Sequence, residues 1–181
     1  MSLKPPIKTL SKDHPSLIII TCEKGKEEQA LIEFLDCVYH ADLNVKVEKT
    51  SFPGVLIATS SIEPRSLLRV LRSYNVKNIK RAIPVDKLVP ADLDHVLQAA
   101  LELCVKQLKP PSTFAVKCER RGRAFRSSLE VEVLVGEELR RKLGCKVDLK
   151  RPDYLVCIEV VDGHAGVTLL SKDEYSHLKV A

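Results

Sequence analysis

The apolar positions in the first part of the chain alternate between short continuous runs and stripes with helical spacing. Residues 17–22, LIIITC, form a β-branched run that predicts a buried strand. Residues 25–38 carry apolar side chains at helical intervals, which predicts an amphipathic helix. Residues 44–48 and 55–59 are typical of two short strands, because a Phe-Pro-Gly turn lies between them. The pattern therefore predicts a strand, a helix and a β-hairpin in that order.

A second helix and a closing strand complete this pattern. Pro64 suits the first turn of a helix because its missing N–H needs no intrahelical partner there, and leucines at helical spacing follow it. Residues 79–85 form a last strand-like run. The order strand, helix, strand, strand, helix, strand is that of a ferredoxin-like α/β unit of the α+β type. We expect this unit to span residues 17–90.

The remaining sequence predicts a second α/β domain over residues 91–181. Asp92 is placed to cap a helix whose apolar side chains recur at helical spacing, and Pro110 ends that helix. Residues 113–118 alternate between apolar and polar positions in the manner of a strand. A basic loop follows this strand.

Local signals mark the next helix and a final hairpin. Ser127 and Glu130 stand three positions apart, as an N-terminal capping box requires. Gly144 follows the last apolar position, where a left-handed C-cap is expected. Two apolar runs, residues 154–161 and 166–170, predict a β-hairpin.

Composition indicates a globular protein outside the membrane. Hydrophobic residues make up 45% and charged residues 29%, and no apolar run approaches the roughly 20 residues that span a bilayer. Residues 1–16 have lysines and prolines but lack the apolar core of a secretory signal, so we expect a flexible tail. Most of the six cysteines lie within apolar runs or stripes, where a reduced cysteine behaves as a small hydrophobe. A soluble, cytoplasmic protein is expected.

The residues that could form a catalytic or metal centre are sparse. The sequence has no CxxC pair, its histidines are scattered, and it has no glycine-rich phosphate-binding motif. Cys118, beside Arg120 and Arg121, is a candidate nucleophile, and a buried strand cysteine is the alternative interpretation. We therefore expect no catalytic centre, no metal and no cofactor.

Basic side chains are concentrated in the segment KCERRGRAFR, before the predicted capped helix. The net charge is +5, and the candidate phosphate contacts in this segment are Lys117, Arg120, Arg121, Arg123 and Arg126. The free N–H groups at a helix N-terminus also favour phosphate. A solvated charged face is the alternative interpretation. Phe125 is expected either to stack on a base or, more commonly, to pack onto the core before the helix.

Two further basic sets are candidate RNA contacts. Arg65, Arg69 and Arg72 are spaced to share one face of the second helix. Lys146, Lys150 and Arg151 follow the capped helix of the second domain, and we expect them to extend the first basic set.

Several features of residues 113–170 together match one known family. They are a strand entering a basic loop, a helix with VGEEL in its middle, the segment VDLKRPD at residues 147–153, and a closing hairpin. In these features the stretch resembles the THUMP domain, an RNA-binding module of tRNA-modifying enzymes. The resemblance implies that the ferredoxin-like unit is its usual companion, and that the two together bind the acceptor end of tRNA.

The segment IIITCEKGKEEQALIEF, residues 18–34, is similar to the start of adaptor proteins that present tRNA to the N4-cytidine acetyltransferase. This likeness implies a tRNA-binding adaptor without a catalytic centre, which acts with a separate tRNA acetyltransferase. One alternative is an RNA-binding subunit of a different tRNA modification enzyme, for thiolation or methylation. A self-sufficient enzyme is the remaining alternative.

Two residues of the VDLKRPD segment are expected to be structural. Asp148 accepts local backbone hydrogen bonds in turns, and Pro152 fixes the backbone angle φ. We expect them to shape the connection between the capped helix and the hairpin.

Overall fold

A computed structural model describes residues 16–180, which divide into two compact units. The first unit contains the described residues up to Val85 together with residues 178–180, and the second contains Asp86–His177. Both units combine helices with a sheet, which confirms the predicted α/β class. The predicted tail, residues 1–16, lies outside the described residues except for Ser16.

The first unit has a four-stranded antiparallel sheet in the order β2-β3-β1-β4. Its elements are β1 (Ser16–Cys22), α1 (Glu27–Val38), β2 (Lys46–Lys49), β3 (Val55–Ser60), α2 (Pro64–Arg72) and β4 (Ile79–Val85). This is the predicted βαββαβ order, and non-adjacent β1 and β4 become neighbours in the sheet as a ferredoxin-like unit requires.

Local chemistry explains two of these boundaries. Helix α2 begins at Pro64 because the Glu63 carboxylate accepts hydrogen bonds from two backbone N–H groups of the first turn. The turn before β3 needs Gly54, which has φ +75° and whose Cβ, if present, would lie 2.7 Å from the carbonyl oxygen of Cys22. The buried core between the helices and the sheet includes Ile18, Phe34 and Leu67.

The second unit has a five-stranded sheet in the order β5-β9-β8-β6-β7. Its elements are β5 (Lys87–Pro90), α3 (Leu93–Cys104), β6 (Thr113–Arg120), α4 (Ser128–Leu143), β7 (Lys146–Val147), β8 (Tyr154–Val161), β9 (His164–Ser171) and α5 (Lys172–Ser176). Strand β6 runs parallel to β7 and β8, whereas β9 runs antiparallel to β8 and β5. Helices α3 and α4 pack their apolar faces on this sheet.

The ends of α4 lie at the predicted residues, with the Ser127 hydrogen bond of the predicted capping box in place. The Ser127 hydroxyl accepts a hydrogen bond from the Glu130 N–H at 3.0 Å, and Gly144 adopts the left-handed conformation with φ +70°. Between these ends α4 buries Val131, Val135 and Leu139 against the sheet. These contacts fix the helix start next to the basic loop.

The sequence pattern did not predict β5, β7 and α5. Strand β5 forms because it pairs with the distant β9, and β7 is only two residues long. Neither strand therefore shows a recognisable alternation of apolar and polar residues in the sequence. The two units therefore divide before β5 and not after Pro90. Residues 178–180 also belong to the first unit, where the Ala82 N–H donates to the carbonyl of buried Leu178.

Within residues 16–180, no helix is both long enough and apolar enough to cross a bilayer. The six cysteines all lie in this range, and each is a buried free thiol.

Candidate nucleic-acid interface

The basic loop, residues 121–127, joins the carboxyl end of β6 to the first turn of α4. Phe125 in this loop is partly buried and packs on the core of the second unit. Of the two alternatives given by the sequence, packing on the core is therefore observed, and not a side chain left free to stack on a base. Gly122 has φ +89°, so the chain turns sharply directly after β6. The loop is therefore a defined turn anchored by an apolar side chain.

Two of the five predicted phosphate contacts on this segment are directed to protein groups. Arg120 donates from Nη1 to the carbonyl oxygens of Gly122 at 2.8 Å and of Phe125 at 3.0 Å. Arg121 donates from Nη1 to Glu159 Oε2 at 2.7 Å, and its side chain is only 17% exposed. Each of these guanidinium groups thus uses part of its donor set within the fold, and that both contact phosphate stays a prediction.

The other three predicted contacts are open to solvent. Arg123 and Arg126 are exposed, and neither forms a hydrogen bond or ion pair with any residue that the structure describes. Lys117 is also exposed, and its Nζ lies 3.4 Å from Glu132 Oε1. Exposed pairs of this kind are weak, so Lys117 remains able to bind an anion. Arg123, Arg126 and Lys117 are therefore the candidate phosphate contacts of this segment that are least committed to protein groups.

Lys146, Lys150 and Arg151 do not extend this set. Lys146 pairs in register with Thr113 at the start of β6, whereas the basic loop follows Arg120 at the end of the strand. At roughly 3.3 Å per residue, the two ends of β6 lie about 23 Å apart. The three residues form a separate exposed basic set at the opposite end of the strand.

A turn built by Asp148 supports this second set. Asp148 Oδ1 accepts hydrogen bonds from the backbone N–H groups of Lys150 at 2.9 Å and Arg151 at 3.0 Å. These bonds, with Arg151 contributing most, lower the pKa of Asp148. The carbonyl oxygen of buried Pro152 accepts from the Tyr175 hydroxyl at 2.5 Å. Both residues therefore have the contacts expected of structural positions.

Replacing Asp148 by alanine is expected to lower the melting temperature by a few degrees, because two backbone donors lose their acceptor. Thermal unfolding followed by circular dichroism measures this effect. Affinity for RNA should change little at temperatures where the variant is folded. An unchanged melting temperature together with lost RNA binding would instead make Asp148 a direct contact.

The arginines of α2 lie on the first unit. Arg65 and Arg72 are partly buried, and Arg69 is exposed and donates to the Ser66 hydroxyl at 2.9 Å. The helix presents them on one face, as their spacing predicts. They form a basic surface of the first unit.

Sequence reasoning missed an exposed apolar groove of about 290 Å³ beside α4. Its walls include Leu129 and Val133, which are 66% and 52% exposed, and Leu149, which is 80% exposed. A Cβ on Gly136, also in the wall, would meet Val116 at an ordinary contact distance of 3.8 Å. The signal was a second apolar stripe on α4, beside the one that is buried.

Cys118 is a buried strand cysteine. Burial, the largest influence, raises the pKa of its thiol to about 11, so it is protonated at neutral pH. Of the two interpretations of Cys118, the structure supports the buried strand cysteine and not the candidate nucleophile. Across residues 16–180 no three His, Cys, Asp or Glu side chains cluster in a way that could hold a metal ion.

Comparison with known families covers the unit that holds the basic loop. The family model of the THUMP domain matches residues 90–170. This stretch is a THUMP domain. The THUMP domain thus includes β6, the basic loop, α4 and the hairpin of β8 and β9.

The chain is similar to parts of larger proteins. A tRNA sulfurtransferase of Pseudomonas syringae pv. syringae is 43% identical over 72 residues, which is 39% of this chain and 15% of that relative. The solved structure of PH1313 from Pyrococcus horikoshii covers 86% of this chain with a TM-score of 0.66 at 23% identity, and 55% of it is matched. A 4-thiouridine synthetase, solved in complex with RNA and ATP, covers 86% with a TM-score of 0.60 at 18% identity, and 41% of it is matched.

The chain spans well under two thirds of each of these proteins. The two solved structures establish the fold.

Proposed function

We propose that this protein binds tRNA through its THUMP domain, with Arg123, Arg126 and Lys117 contacting the phosphate backbone. The observation that carries this proposal is the pair of exposed arginines on an anchored loop. Neither arginine has a hydrogen-bond or ion-pair partner among residues 16–180. Arginine presents a planar fork of donors that matches phosphate oxygens. The first turn of α4 adds the positive end of a helix dipole beside the same loop.

The comparisons support tRNA as the type of RNA. The sulfurtransferase relative acts on tRNA, as its name states, and its identity of 43% covers 72 residues of this chain. The 4-thiouridine synthetase with the same fold was solved with RNA bound. Both proteins support a role in tRNA modification for the THUMP domain of this chain.

Binding of tRNA is expected to weaken steeply with salt, because each phosphate contact releases condensed counterions. With about three contacts, the logarithm of the association constant should fall with the logarithm of salt concentration with a slope of roughly −2 to −3. Filter binding from low to physiological salt measures the slope. Indistinguishable binding of tRNA and an unrelated polyanion at every salt concentration would contradict recognition of tRNA.

We further propose that the chain presents tRNA to a catalytic domain on another polypeptide and is not itself an enzyme. The similarity of residues 18–34 to adaptors of the tRNA N4-cytidine acetyltransferase supports acetylation as the modification. The identity to tRNA sulfurtransferases favours a second candidate, in which the chain serves a thiolation enzyme.

A pull-down from native extract, followed by reconstitution on tRNA with the recovered enzyme, tests this proposal. The expected result is a modified nucleoside that forms only when both chains are present. Mass spectrometry then distinguishes N4-acetylcytidine from a thiolated nucleoside. A purified chain that modifies tRNA alone would overturn the adaptor role and leave tRNA binding intact.

A further inference from the structure

We propose that Glu159, a buried acidic residue, is a positioning residue for RNA binding. It holds Arg121, and through Arg121 it fixes the basic loop that presents Arg123 and Arg126. This inference rests on the proposed tRNA binding of the THUMP domain. It assigns an acidic side chain a favourable role at a surface where simple electrostatics predicts the opposite.

Glu159 lies on β8, next to the end of β6 in the parallel register. Its side chain is 3% exposed, and its Oε2 accepts from Arg121 Nη1 at 2.7 Å. The backbone N–H of Arg121 also donates to the carbonyl oxygen of Val160 at 3.1 Å. The first residue of the loop is therefore joined to β8 by its side chain and by its backbone.

The remainder of the loop is held from within. Arg120 donates to the carbonyl oxygens of Gly122 and Phe125, which closes the loop on the end of β6. Phe125 packs on the domain core. Arg123 lies between these anchored positions and Arg126 directly follows them. The two exposed guanidinium groups consequently extend from a backbone that is fixed before RNA arrives.

A fixed loop strengthens binding because less conformational entropy is lost when RNA orders it. Removing the Glu159 charge leaves the partly buried guanidinium of Arg121 without its counter-charge. Movement of Arg121 toward solvent then becomes favourable, because water solvates its unpaired guanidinium. Since Arg121 is the first residue of the loop, this movement displaces the start of the loop. The loop becomes more mobile, so more conformational entropy is lost when RNA binds and orders it, and the affinity falls.

The sign of the effect separates this role from plain electrostatics. Removal of a negative charge near bound phosphates should tighten RNA binding if charge alone matters. It would also release Arg121 as an extra phosphate contact. If Glu159 positions the loop, its neutralisation weakens binding instead.

The test compares Glu159→Gln with Glu119→Gln. Glu119 is opposite Glu159 in the register of β6 and β8 and is less buried, so its replacement removes the same charge from the same region. Affinity for tRNA is measured at one salt concentration, at a temperature where circular dichroism shows both variants folded. We expect about fivefold weaker binding for Glu159→Gln and equal or tighter binding for Glu119→Gln.

Limited trypsin digestion without RNA supplies a second readout, since the loop contains trypsin sites at its arginines. Glu159→Gln should increase cleavage within residues 121–126, and Glu119→Gln should not. If wild-type protein fails to bind tRNA, the proposed function fails, whereas the digestion still tests the anchoring.

Two outcomes overturn the inference. Glu159→Gln that binds tRNA as tightly as wild type, or more tightly, excludes a positioning role. Weaker binding without increased loop cleavage also excludes it, because the loss then does not act through the loop. If Glu159→Gln does not fold, Glu159→Asp is used, which retains the charge but shortens its reach. Its binding should then be weaker than wild type at unchanged net charge, and wild-type affinity with unchanged cleavage would overturn the inference.

Discussion

Replacing Arg123 and Arg126 together by alanine is expected to weaken tRNA binding at least about tenfold, roughly 1.4 kcal/mol. Both side chains are exposed and have no hydrogen-bond or ion-pair partner among residues 16–180, so the fold should survive their loss. Arg121 is left intact, because its replacement would break the ion pair with Glu159. The change in affinity then reports lost phosphate contacts and not a disturbed loop.

Filter binding at one salt concentration measures this effect. The matched control is the double replacement of Arg140 and Arg141, which removes the same charge from the far end of α4. Those arginines pair with Glu137 at 2.9 Å and with Glu138 at 2.7 Å. The control should reduce affinity much less. Equal losses in the two variants would mean that net charge alone governs binding.

The arginines of α2 provide a comparison between the two units. Replacing Arg65, Arg69 and Arg72 should weaken tRNA binding less than the loop variant does. The reason is that Arg65 and Arg72 are partly buried and Arg69 already donates to the Ser66 hydroxyl. Arg123 and Arg126 are exposed. If the α2 variant loses more tRNA affinity than the loop variant, the first unit is the main RNA-binding surface.

Replacing Asp42 by alanine is expected to destabilise the protein by about 3 kcal/mol, the largest stability effect that we predict. The Asp42 carboxylate is buried and accepts from the Ser60 hydroxyl at 2.5 Å, from Ser61 through its N–H at 2.8 Å and its hydroxyl at 2.9 Å, and from the Asn44 N–H at 2.9 Å. Alanine leaves these donors, several of them partly buried, without an acceptor. Urea denaturation followed by circular dichroism measures the loss.

The Asp42 carboxylate also makes the stability of the fold depend on pH. Burial acts to raise the pKa of Asp42, but the four hydrogen bonds outweigh it and lower the pKa from 3.8 to about 2. A carboxyl whose pKa is lower in the folded state stabilises the fold above its unfolded pKa. This stability, roughly 2 kcal/mol, is present above pH 3.8 and is lost as the pH falls through about 2.

Asp36→Ala is the control, because Asp36 is an exposed carboxylate on α1 in the same unit. It should leave the free energy of unfolding nearly unchanged at neutral pH. Between pH 4 and 2, wild type should lose stability more steeply than the Asp42 variant. Parallel acid curves for wild type and the Asp42 variant would contradict the role assigned to this carboxylate.

The sequence alone determined the elements whose signals are local. Ser127 and Gly144 marked the ends of α4, and Pro64 marked the start of α2, because caps and first turns are satisfied by residues a few positions away. The β-branched run of β1 identified a buried strand for the same reason. The basic loop was likewise visible as a cluster of charge.

Only the tertiary structure decided which basic residues pair with protein groups and which do not. Arg121 meets Glu159 from 38 positions away, and no pattern of neighbouring residues indicates that pairing. The register of β6 with β7 separated Lys146 from the loop. Strand β5 likewise exists only through its pairing with β9. In each case the deciding contact joins residues far apart in sequence, and local propensity has no information about such contacts.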